Sequence, residues 1–165
     1  AVFSLSLGCS DACLRGALAA YERELPNHGI RLVRVGRKGR RTMLLVYRMG
    51  LVGELLACAE NRRFLLAYGL PIEDAHGLMR ALAARLARYH AGASQSFPHE
   101  IGLVLGYPLE DVVGYLHGGE ETCRGPWRAY GDEDVARNRF DVLRRCEQDC
   151  CRRFEAGESL AELIA

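Results

Sequence analysis

Residues 30–47 restrict the fold more than any other stretch of this chain. Positions 30–35 (IRLVRV) are rich in β-branched residues, 37–40 (RKGR) hold a turn glycine among charges, and 42–47 (TMLLVY) form a second apolar run. Two such runs around a short glycine-bearing turn describe a β-hairpin. The second run is apolar throughout, so both of its faces need cover, which predicts an inner strand rather than an edge. A weaker alternation of Val2, Phe3, Leu5 and Leu7 adds a strand ahead of the hairpin.

After the hairpin the hydrophobic period changes from two to between three and four, the mark of helices. Helices are predicted over 11–25, 50–60, 61–68, 71–90, 132–156 and 159–164. The first carries Leu14, Leu18, Tyr21 and Leu25 and is stopped by Pro26-Asn27-His28-Gly29. The fourth turns Ala75, Leu78, Met79, Leu82, Leu86 and Tyr89 inward. Residues 122–130 are turn-rich, with a short strand at 126–130. Strands gathered early and helices after them give an α+β fold, a small, mainly antiparallel sheet from the N-terminal half covered by a helical C-terminal half. The 165 residues suit a single domain spanning 1–165.

A second informative stretch is 94–116, SQSFPHEIGLVLGYPLEDVVGYL. It reads as two short helices about one turn. Ser96 or Phe97 caps the first and Pro98 lies in its first turn, where a missing N–H costs nothing. Gly106 supplies the left-handed residue at its end. Pro108 opens the second, with Glu110 and Asp111 placed favourably for the helix dipole, and Gly118-Gly119 ends it. The spacing of Ile101, Gly102, Leu105, Gly106, Val112 and Tyr115 imitates a DNA-binding helix-turn-helix. The chemistry opposes that reading: the second helix would offer Glu110 and Asp111 to phosphate, without the Arg, Asn or Gln that reads purines. A packed helical hairpin is the expectation.

The string FPHEIGLVLGYPLEDVVGYL, then CRGPWRAYGD and a long helix holding Cys146, resembles the bacterial family known as domain of unknown function 3793. The resemblance covers most of the chain and is most specific at 97–116 and 127–132. It implies a small cytoplasmic protein of anaerobic bacteria with no established activity. It also implies a His- and Cys-containing segment ahead of the first strand, which would complete any site built on the first cysteines of this sequence.

Composition adds limits. Hydrophobic content of 49% and charged content of 26% are those of an ordinary globule. No apolar run approaches the roughly 18 residues that a membrane span needs, so no membrane partner is expected. Seven cysteines are many, yet the odd number and the size of the chain argue against a disulfide framework. Reduced thiols in a cytoplasm are the expectation.

Four constellations carry candidate chemistry. In the hairpin, Arg31, Arg34, Arg37, Lys38, Arg40, Arg41 and Arg48 place seven positive charges among 31–48 without a carboxylate. The rest of the chain holds 15 basic and 21 acidic residues, so the overall +1 conceals strong polarity. Arg37, Lys38, Arg40 and Arg41 are the candidates for phosphate or nucleic acid. The alternative is a solvated hairpin whose arginines protect a strand edge. Aromatic interleaving is nearly absent, with Tyr47 alone nearby.

His99 and Glu100 form the second constellation, a pair suited to acid–base work or metal binding. Adjacent helical residues point about 100° apart, which opposes a shared ligand. Structural roles, with His99 on a loop carbonyl and Glu100 capping N–H groups, are the alternative. The third is Cys146, Cys150 and Cys151 with Cys123 upstream. Cys146 and Cys150 continue an apolar stripe of Ala136, Phe140, Leu143 and Phe154, so core packing is expected of them, with Cys123 the exposed thiol. The fourth is Cys9 and Cys13, four apart at a helix start, where a thiolate is favoured and a soft metal could be held. Trp127, with Tyr130 in GPWRAYGD, reads as a core anchor, and Asp132 as the cap of the last helix.

The sequence lacks GxGxxG and Walker patterns, a GxSxG elbow and HExxH, which leaves the nucleotide enzymes and hydrolases built on them without support. The leading expectation is a binding or accessory protein. It would hold a small molecule or a metal-containing cofactor, linked to iron, haem or redox handling. His99, Glu100, Tyr107 and Trp127 would line the ligand site, and Cys9, Cys13, Cys123 and His99 are the candidate metal ligands. Nucleic-acid or phosphate binding through the hairpin is the alternative. An enzyme using His99 or a cysteine nucleophile ranks last for want of a partnered triad.

Overall fold

The structure is a computed structural model that describes the backbone of residues 2–5, 11–38 and 41–164, and the side chains of 15–37 and 41–164. The chain divides into two compact units, Ala1–Gly106 and Tyr107–Ala165.

The first unit holds the predicted hairpin. β1 (Val2–Leu5), β2 (Ile30–Lys38) and β3 (Arg41–Arg48) form an antiparallel sheet in the order β1-β3-β2. The apolar run is thus the inner strand, as its composition requires. Its neighbours Leu44 and Leu45 point to opposite faces and both are fully buried. β2 is one of the two edge strands and carries an irregularity. Arg34 stands opposite Leu44 and Gly36 opposite Met43, so Val35 is an extra residue bulged out of the ladder.

Helices α1 (Asp11–Glu24), α2 (Met49–Ala57), α3 (Ala59–Ala67) and α4 (Ala75–His90) follow the predicted periods within a few residues. The predicted start of α4 at 71 is four residues early. Its true N-cap is Asp74, whose carboxylate accepts the Gly77 N–H at 2.9 Å. That bond holds the Asp74 pKa below the ordinary carboxylate value. α4 packs on β2, and α2 packs on β3 and α4. Leu78, Met79, Leu82 and Leu86 fill the space as expected, whereas Tyr89 stays exposed and meets Phe97 edge-on.

α5 (Ile101–Val104) is a single turn, much shorter than the helix read from the sequence. Residues 98–100 form the turn that leads into it, with Ile101 N–H donating to the Pro98 carbonyl and Gly102 N–H to that of His99. Gly106 takes the expected left-handed conformation, φ 88°.

The second unit holds α6 (Leu109–His117), a two-stranded ribbon of β4 (Cys123–Arg124) and β5 (Arg128–Ala129), α7 (Glu133–Glu155) and α8 (Leu160–Ile164). The ribbon replaces the lone strand predicted at 126–130. Its small core is Cys123, Ala129, Ala136 and Phe140, with Trp127 against them. Early strands and later helices confirm the α+β class. No described helix is long and apolar enough to cross a membrane.

Candidate functional site

The residues assigned to one ligand site fall in both units, each pair with its own surroundings. In the first unit Pro98 is buried and Glu100 is only 4% exposed. Glu100 makes no cap hydrogen bond to α5, contrary to the expectation of a capping role. Its carboxylate instead forms an ion pair with Arg85 of α4. Arg85 also donates to the carbonyls of Tyr68 (2.8 Å) and Gly69 (3.1 Å) at the end of α3. One guanidinium therefore ties three segments together, and Glu100 supplies the charge that permits its half-burial. His99 is half-buried, with its ring edge-on to Phe97 at 5.1 Å.

In the second unit the decisive residue is Asp111, which the sequence reading treated as a dipole partner at the start of α6. It is 4% exposed and accepts three hydrogen bonds. The donors are Trp127 Nε1 at 2.7 Å, Tyr130 N–H at 2.6 Å and Gly131 N–H at 3.2 Å. Trp127 stacks on Tyr107 with centroids 4.7 Å apart and meets Phe140 edge-on. Burial raises the Tyr107 pKa above its ordinary value. Trp127 is the core anchor that its solitary place in GPWRAYGD suggests, with its N–H satisfied inside the protein. Gly114 serves the same join, because a Cβ there would run into the Tyr130 side chain. The sequence signal for Asp111 was the indole N–H, which needs an acceptor when buried.

The cysteines reverse the sequence expectation. Cys123 is buried, since β4 turns it inward beside Ala129 toward Phe140, and it is not the exposed thiol. Cys146, Cys150 and Cys151 are exposed, because only Ala136 and Phe140 of the α7 stripe reach a core. Cys9 lies outside the described residues, and Cys13 is described only as a backbone position in α1. Among the described residues no group of three or more His, Cys, Asp or Glu could hold a metal ion.

A family model described as protein of unknown function (DUF3793) matches residues 2–164. The chain belongs to the DUF3793 family. No curated protein and no solved structure matches it. In this DUF3793 chain the stretches that carry the resemblance, 97–116 and 127–132, contain the Glu100 and Asp111 joins. Their most specific polar atoms are engaged within the protein.

The basic hairpin behaves differently. Arg31, Arg34, Arg37 and Arg41 are exposed, and none is ion-paired with a carboxylate among the described residues. The bulge determines their arrangement. Alternation would normally send residues 34 and 37 to opposite faces. With Val35 extra, Arg34 stands opposite Leu44 and Arg37 opposite Thr42, so both share one face. Arg31 lies opposite Tyr47 on the other face, where burial raises the tyrosine pKa against the opposing pull of the arginine. Arg48 is occupied, donating to the His28 carbonyl at 3.3 Å. Lys38 pairs with Arg41 through the backbone, its side chain and all of Arg40 lying outside the described residues.

Proposed function

We propose that this protein is a binding protein for a phosphate-bearing polymer, a nucleic acid, with the β2–β3 hairpin as its contact surface. One observation carries the reading: a run of exposed arginines on an edge strand, without carboxylate partners among the described residues, in a chain whose remaining charge is negative. Guanidinium groups take phosphate oxygens in paired hydrogen bonds, and unpaired ones give up no internal partner on binding. The arginines on one face, Arg34 and Arg37, belong to β2 alone, which suits a strand-like backbone passing along the edge. The small-ligand reading built on His99, Glu100, Tyr107 and Trp127 has less support, since the Glu100 carboxylate and the Trp127 N–H already have partners.

The test is fluorescence anisotropy of a labelled single-stranded oligonucleotide titrated with the protein at several salt concentrations. Binding is expected to weaken steeply with salt, with a logarithmic slope of about −2 to −3 for three or four phosphate contacts. Arg34→Glu and Arg37→Glu each abolish it, while His99→Ala leaves it unchanged. Loss with His99→Ala and indifference to both arginine variants would favour the small-ligand reading instead. No binding at low salt would leave the arginines as protection for a strand edge.

A further inference from the structure

α7 carries along one side apolar residues that stay largely exposed among the described residues, with α8 packed near its end. Val135, Val142 and Phe154 are 60%, 54% and 64% exposed, and Leu143 is 43% exposed. Cys146 and Cys150, also exposed, lie between them on the same side of the helix. The helix is well specified in itself. Asp132 caps it by accepting the Val135 N–H at 2.9 Å, acids occupy its first turn and arginines its last. A 23-residue helix with such a stripe is built to lie against another element.

The charges along α7 indicate which element. They come in short blocks of alternating sign: Glu133-Asp134, Arg137 with Arg139, Asp141, Arg144-Arg145, Glu147 with Asp149, Arg152-Arg153. Two copies aligned in parallel would bring like blocks level with each other. Two copies antiparallel about Leu143 place residue 143 + n level with 143 − n of the second copy. Arg139 is then level with Glu147 of the second copy, an oppositely charged pair on and beside the stripe, whereas Asp134, Arg137, Asp141, Arg145 and Arg152 point away from it. The match occurs twice about the two-fold and joins opposite signs. Arg139 lies within the apolar stripe, four residues before Leu143, and Glu147 flanks it, so this pair comes closest across the seam. Neither forms an ion pair within its own chain among the described residues.

We propose that α7 is a homodimerisation helix, pairing antiparallel with α7 of a second copy about a two-fold axis at Leu143. The interface is isologous: Leu143 meets itself, and Cys146 and Cys150 are shielded from solvent by it. Self-association is thus specified by the Arg139–Glu147 pair as well as by the apolar stripe.

Sedimentation velocity of the chain over a range of concentrations tests the proposal, together with Arg139→Glu, Glu147→Arg and the double exchange. A dimer is expected at about 100 µM. Each single reversal sets like charges against each other at two places and weakens the dimer about tenfold or more. The double exchange restores it to within about threefold of the parent. Leu143→Asp, which buries two carboxylates at the axis, abolishes it. Circular dichroism is recorded for each variant, and unchanged helicity ties the loss to the interface. Maleimide labelling of Cys146 and Cys150 is expected to accelerate as the protein is diluted. A monomer at every concentration overturns the proposal, as does a dimer indifferent to both single reversals, or single reversals that the double exchange does not rescue. Indifference would assign the interface to another surface, and failed rescue would assign α7 another register or partner.

Discussion

Asp111 shows how one residue organises a neighbourhood. Its two oxygens receive an indole N–H and two backbone N–H groups, from Trp127, Tyr130 and Gly131. These donors lie in the segment between β5 and α7 or just before it, so the carboxylate fixes that segment on α6. Removing the acceptor strands buried donors, which costs more than a mean hydrogen bond contributes. Asp111→Ala is expected to destabilise the second unit by about 3 kcal/mol. Trp127 is the only tryptophan, so its fluorescence reports the change directly. A red-shifted emission and a lower unfolding midpoint are expected. An unshifted spectrum would show that the Tyr107 stack and Phe140 hold the ring without Asp111. At this scale the sequence was read only in part. Trp127 was recognisable as an anchor because a lone large aromatic beside Gly-Pro rarely stays exposed. Its partner was not, because an acid in the first turn of a helix already has a sufficient local explanation. Glu100 was misread for the same reason: a local role concealed a pairing with Arg85, 15 positions earlier.

Elements were more legible than partners. The hairpin, its inner strand and most helix cores follow from period and turn residues, which act over a few neighbours. The misreadings have a common cause. α5 looked like two turns because Pro98 suits a first helical turn, but Pro98 and Glu100 are buried and the turn they form leaves helix only from Ile101. The α7 stripe was read as core along its whole length, yet only its first two turns reach the core of its own unit. Amphipathicity records that a face is covered, not by what. Gly36 illustrates a feature that period cannot show. It follows the bulge with φ 140°, and a Cβ there would lie 2.7 Å from the His90 Cβ of α4. Any side chain would strain the backbone and push β2 off the helix, at a cost of about 1–3 kcal/mol. Gly36→Ala is therefore expected to lower the melting temperature. It should also weaken oligonucleotide binding, because the bulge is what sets Arg34 and Arg37 on one face. Loss of stability with unchanged binding would show that the face assignment has no bearing on recognition.

For the whole molecule, the sequence suggests one domain from length alone, and the structure groups its contacts into two units of unequal core. Among the described residues the first unit buries 16 hydrophobic side chains below solvent and the second only five, two of them alanine. Burial of apolar surface is the main favourable term in folding, so the second unit has the smaller reserve. Trp127 touches Tyr107, Asp111 and Phe140, all within that unit, and so reports on it alone. Far-ultraviolet circular dichroism instead averages over helices of both units. In urea the fluorescence transition is expected to come first, at a lower midpoint than the dichroism transition, with Asp111→Ala widening the gap. Coincident transitions in the parent would mean that the two units unfold as one cooperative domain. The same experiment separates the sources of stability. If the homodimer forms through α7, the fluorescence midpoint rises with protein concentration while the later part of the dichroism curve does not. If concentration has no effect, the second unit stands on its own small core and the Asp111 join.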